Sequence, residues 1–150
     1  MKVWGMTDPK NLKDKHLLGE HLEIHTLISG GWENHPESLY KRFDGDIRWP
    51  IMRHEFIRIA MNDRWEGRHT KNTHKSPVDK SMLDDEFINY INDYKLSIDL
   101  QSFDAYQSQQ YFEEFMEEIG FPETTIGYDR PWERENVTME QYWDMEGVRA

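Results

Sequence analysis

The run from Leu12 to Ser29, LKDKHLLGEHLEIHTLIS, decides the reading of this chain. Leu17, Leu18, Leu22, Ile24, Leu27 and Ile28 recur with the spacing of an amphipathic helix, and Gly30-Gly31 stands where such a helix would stop. At about 100° per residue, His16, Glu20 and Glu23 fall within about 60° of one another on the helical wheel. Leu17, Ile24 and Ile28 occupy the adjoining face, with Leu18 and Leu22 further round. His21 and His25 sit four apart on another part of the wheel, near the apolar side. One strip of the helix is therefore ionisable while its neighbours face a core.

Working outward, Lys2 to Trp4 reads as a short extended arm and Asp8-Pro9 as a turn. Downstream, Pro36 begins a short helical stretch to Phe43, which Asp44-Gly45-Asp46 breaks. Pro50 opens a second long helix with Ile51, Met52, Phe56, Ile57, Ala60 and Met61 on one side. The polar, basic stretch 66–77 predicts a loop. A third helix is predicted over Val78–Tyr94 and a fourth over Ser102–Ile119, stopped by Gly120. The last thirty residues carry Pro122, Gly127 and Pro131, and predict a packed, irregular tail with one short helix near Met139–Met145. Strand signals are thin and no internal repeat occurs. The expectation is a compact, single-domain, all-α fold.

Composition bounds the chemistry. The chain has 150 residues, 13% of them aromatic, which supplies enough large apolar surface to fold rather than stay disordered. There is no cysteine, so disulfides, thiolate metal sites, iron–sulfur clusters and cysteine nucleophiles are excluded. No run of 18 apolar residues exists and MKVWGMTDPK has no signal-peptide character, so a soluble, cytoplasmic protein with no membrane partner is expected. The net charge of −11 is uneven: residues 1–80 carry +2 and all seven histidines, whereas residues 81–150 carry −13. A diffuse positive field for nucleic acid is therefore absent, and any such contact must come from a local face of the first half. The acidic half reads either as a solvated surface or as an interaction arm.

Three readings of the Glu20/Glu23 strip stand side by side. The two glutamates are ordinary surface carboxylates, or His16, Glu20, His21 or His25 contribute to a metal site, or one carboxylate does acid/base work beside a nucleophile from elsewhere. The paired Glu-x-x-His pattern of bundle di-metal sites is missing. Trp32 and Trp49 read better as core than as platforms for bases.

The order of residues in Lys15-His16-Leu17-Leu18-Gly19-Glu20-His21, with Glu23 and His25, resembles the first helix of the pyrimidine-dimer DNA glycosylases, the T-even phage endonuclease V family. Further stretches are similar to a phage-encoded branch of it: Met1-Lys2-Val3-Trp4 with Asp8-Pro9-Lys10, Arg53-His54-Glu55, and His74-Lys75-Ser76-Pro77. The resemblance covers about residues 1–80. It implies a catalytic core of the endonuclease V type over 1–80, with 81–150 as an acidic, aromatic-rich helical extension packed on that core.

It also implies an activity: N-glycosylase/AP-lyase action on damaged or modified pyrimidines in double-stranded DNA. The N-terminal α-amine, here that of Met1, would attack the sugar C1′ and form an imine, with Glu23 stabilising the cationic intermediate and handling protons. Neither a metal nor an organic cofactor is needed for this. His16 would orient the carboxylate or a phosphate, unless its hydrogen bond is structural. Lys2, Glu20, Arg53, His54, His74 and Lys75 would face the DNA, with His69 and Lys71 in the same basic loop. For a phage-encoded protein the compartment is the host cytoplasm. Better-known members place arginines beside the glutamate, and the matching positions here are Leu22 and Thr26. The alternative is a homologue whose enzyme activity is lost or redirected, and whose acidic half binds a protein partner or mimics nucleic acid.

Overall fold

The computed structural model describes residues 3–29, 43–65, 82–100, 104–122 and 130–144. Among them every regular element is helical: a 3-10 turn at Pro9–Asn11, then α1 (Asp14–Ser29), α2 (Arg48–Arg64), α3 (Asp85–Leu100), α4 (Ala105–Glu118), α5 (Pro131–Arg134) and α6 (Met139–Asp144). None of these helices is long and apolar enough to cross a membrane.

The centre of the molecule is α2. Its sequence predicts one apolar face, yet every residue from Trp49 to Met61 except Arg58 is buried. The reason is its position: α1, α3 and the Pro9–Asn11 turn all pack on it. Phe56 stacks on Tyr94 of α3 with ring centres 4.5 Å apart, and Phe112 of α4 meets it edge-on at 6.1 Å. Trp49 is core, edge-on to Phe87 and Phe121 at 4.8 and 5.4 Å. One cluster of buried apolar side chains thus runs from Val3 through Met61 into Leu83, Ile98, Met116 and Phe121. Position 80/81 marks a change in charge and not a break in this core.

Helix ends follow local chemistry. Asp44 and Gly45 both take positive φ, which makes the tight turn before α2. α3 begins at Asp85, later than the Val78 expected, because the Asp84 carboxylate accepts the Phe87 amide at 3.1 Å and caps the helix there. Asp104 does the same for α4 through Gln107 at 2.8 Å. Gly120, at φ +80, closes α4: its amide reaches Glu117 O and that of Phe121 reaches Met116 O, the paired bonds of a left-handed helix stop. Thr138 and Gln141 exchange side-chain-to-backbone bonds at 2.8 and 3.1 Å and start α6 inside the Met139–Met145 window. The helix over Pro36–Phe43 lies outside the described residues except for Phe43, which is buried.

The largest surprise lies at the other end. Residues 3–13, among them Val3 and Trp4 of the short arm read from the sequence, form a buried loop in which only Lys10 is partly exposed. Gly5 allows it: a Cβ there would stand 2.7 Å from the ring of Phe121. Gln109 of α4 accepts from the Asp8 amide and donates to Met6 O, Tyr94 of α3 donates to the Asp8 carboxylate at 2.6 Å, and Asn11 donates to Ser108. The second half of the chain therefore holds the first few residues in place.

Candidate functional site

Three faces of α1 meet different surroundings. Leu17, Glu20, Ile24, Leu27 and Ile28 are buried against the core. His16 and Glu23 lie on one edge of that buried arc, and His21 and His25 on the other; all four are half-buried. The midpoint of His21 and His25 is about 180° around the helix from Glu23.

On the first edge, Trp4 brings the N-terminal loop against His16, with ring centres 5.5 Å apart. The ring of Tyr142 of α6 lies nearly parallel to the imidazole, with centres 5.6 Å apart. Its hydroxyl accepts the Lys13 amide at 2.9 Å and lies 2.8 Å from His16 Nδ1. The other ring nitrogen, Nε2, lies 4.0 Å from the Glu135 carboxylate. Burial pushes His16 down to about 4; Lys15, Lys13 and Arg134 push the same way, and Glu135 opposes them. Near neutral pH the ring is uncharged, so it serves as a positioned hydrogen-bonding group rather than as a cation for phosphate. Lys13 is buried too, its ammonium 4.3 Å over the Tyr142 ring, and burial lowers its pKa. Glu23 lies two turns further along α1, and its carboxylate makes no hydrogen bond or ion pair with another described residue. Leu22 and Thr26 face solvent, Leu22 at 69% exposure.

Two residues expected at the DNA are inside the protein instead. Arg53 and Glu20 are both fully buried and form a two-pronged pair, Nε to Oε2 at 2.7 Å and Nη2 to Oε1 at 2.9 Å. The third nitrogen of Arg53 donates to Thr7 O at 2.8 Å. Each guanidinium nitrogen has an acceptor and both side chains are buried, so the pair ties α1, α2 and the N-terminal loop together.

His54 is likewise buried rather than exposed to a DNA backbone. Its Nε2 lies 3.1 Å from His25 Nε2, which lies 3.0 Å from His21 Nε2. Its Nδ1 is 2.9 Å from the Glu55 carboxylate, which also accepts from Arg58. Met1, Lys2, His69, Lys71, His74, Lys75 and Trp32 lie outside the described residues.

Spacing marked His21 and His25 as a pair but held no sign that His54, 29 residues on, would join them. Tyr142, whose hydroxyl meets His16 Nδ1, was missed because nothing in its local sequence links it to a residue 126 positions earlier.

The family model described as pyrimidine dimer DNA glycosylase matches residues 1–75, which include all of α1 and α2. No curated protein and no solved structure matches the chain. With half of its length matched, and with every described element helical, the chain belongs to the pyrimidine dimer DNA glycosylase family.

Proposed function

We propose that this protein is a DNA N-glycosylase/AP lyase for damaged or modified pyrimidines, with the α-amine of Met1 as nucleophile and Glu23 as the assisting carboxylate. The observation that carries this reading is the edge of α1 that bears Glu23. The N-terminal loop packs along that edge through Trp4 and His16, and the Glu23 carboxylate is half-buried with no described partner. Met1 is three residues before Trp4, a reach of about 10 Å when extended. His16 and Glu23 are separated by about 10.5 Å of helix rise. The reading requires Met1 to run from Trp4 along this same edge of α1.

An α-amine has a reference pKa near 7.7–8.0, so a useful neutral fraction exists at about neutral pH. Its nitrogen bonds to C1′ as the bond from C1′ to the base breaks. The resulting cationic imine is stabilised by the carboxylate beside it, and loss of a proton from C2′ then expels the 3′ phosphate. The contacts to DNA phosphates fall to Lys2, His74 and Lys75, because Arg53, Glu20 and His54 are taken up inside the fold.

Borohydride trapping on a duplex with an abasic site, at low salt, tests the reading. A covalent adduct that is lost when the N-terminal amine is blocked is the expected result. Glu23→Gln should keep the thermal stability and lower base release by roughly 10²- to 10⁴-fold. An adduct that survives blocking, or an undiminished rate in Glu23→Gln, would overturn the assignment.

A further inference from the structure

The geometry points to a second site, on the far edge of α1 from Glu23: His21, His25 and His54 form a three-imidazole site for one divalent transition-metal ion of the zinc class. It lies outside the proposed chemistry, which needs no metal.

The three Nε2 atoms converge. Two of the separations are 3.0 and 3.1 Å, and one ring nitrogen from each histidine lies within 4.8 Å of the other two. Around a tetrahedral ion with bonds of about 2.0–2.1 Å to histidine nitrogen, neighbouring ligand atoms stand about 3.3 Å apart. Small side-chain shifts therefore bring all three onto one ion.

Protons alone account poorly for the same geometry. A ring nitrogen has one in-plane position, filled by either a hydrogen or a lone pair. His25 Nε2 is within hydrogen-bond distance of two other Nε2 atoms, and it can make one well-directed bond, not two. A cation at the centre uses all three lone pairs.

The surroundings fit a metal as well. His21 and His25 are one turn apart on α1, a spacing that lets two imidazoles meet one ion. The Glu55 carboxylate on His54 Nδ1 holds the proton there and leaves Nε2 as the free-electron side. That carboxylate-to-histidine arrangement is the usual outer support of a metal ligand. Among divalent ions, imidazole favours zinc, copper and nickel over magnesium or calcium. With three protein ligands, the fourth position falls to a water on the side where His21 and His25 are half-exposed. The bound ion would tie α1 to α2 beside the Arg53–Glu20 pair.

The test uses the untagged full chain, stripped with a chelator and titrated with Zn²⁺ by calorimetry and with Co²⁺ by visible absorption. Uptake of one ion per chain, cobalt bands of a low-coordinate site, and a melting midpoint that rises with Zn²⁺ are expected. Glu55→Gln, which keeps all three ligands, should weaken binding by roughly 10- to 100-fold. His21→Ala and His25→Ala, at half-exposed positions, should abolish it. Failure of the native chain to take up a stoichiometric ion would overturn the proposal, as would uptake undiminished in both alanine variants. Neither readout depends on DNA, so the site stands or falls separately from the glycosylase reading.

Discussion

His16 sits between Trp4 and Tyr142 with its Nδ1 on the tyrosine hydroxyl, and its neutrality has a thermodynamic consequence. In the fold its pKa falls from 6.5 to about 4, mainly through burial. The unfolded chain keeps the ordinary value. Above pH 6.5 both states hold the ring neutral and stability is unaffected. As pH falls from there toward 4, the unfolded chain takes up a proton that the folded chain refuses, so stability is lost across that window. The full loss is on the order of 3 kcal/mol. Asp8 acts in the opposite sense, because burial raises its carboxyl, but it is common to parent and variant. Urea unfolding from pH 7 to 4 should therefore show a steeper decline for the native chain than for His16→Gln. Parallel curves would refute the linkage. The sequence left open whether this histidine orients a carboxylate or makes a structural bond. The bond it makes is to Tyr142, and no local pattern could have revealed that.

At the scale of elements, α1 was legible in its periodicity and less so in its polar positions. Apolar spacing found the helix, and its Asp14–Ser29 bounds fall inside the stretch read from Leu12. The same spacing counted Leu22 among the apolar set, although it lies on the solvent face. Glu20 was grouped with Glu23, yet on the wheel it falls between Leu27 and Ile24, about 20° from one and 40° from the other. A carboxylate flanked so closely by core leucine and isoleucine needs a buried cation, and Arg53 of α2 is that cation. The partner could not be read because it depends on how α1 lies across α2. Removing one member of such a pair strands the other charge. Arg53→Met should cost about 3–5 kcal/mol of stability, and adding Glu20→Leu should recover much of that loss. Denaturant midpoints of the two variants check this. A single substitution as benign as the double one would mean that the pair contributes little to the packing of α1 on α2.

At the scale of the whole molecule, the resemblance ends near residue 80 and the family match at residue 75, but the core does neither. Phe56 and Trp49 belong to the matched half, and their ring partners Tyr94, Phe112, Phe87 and Phe121 belong to the acidic half. The N-terminal loop depends on that half as well. Gln109, Tyr94, Ser108 and Tyr142 satisfy polar groups of residues 6–13, and Trp143 donates to Asn11 O. The inward-facing groups are aromatic or uncharged, whereas Asp85, Glu86, Asp93, Glu114, Glu117 and Glu118 stay exposed. The acidic composition thus describes the outside of an element whose inside completes the core. The division at 80/81 followed the extent of the resemblance, and the charge of the second half reports its surface and carries no information about packing. Without that half, buried backbone groups of the loop lose their partners and Phe56 loses much of the apolar cover on its ring. Residues 1–80 alone are therefore expected to show no cooperative unfolding transition, while the full chain melts in one step. Calorimetry and far-ultraviolet circular dichroism on both would decide it. A sigmoidal helical melt of the fragment would mean that the matched half folds by itself and that the acidic half is dispensable to the position of the N-terminus.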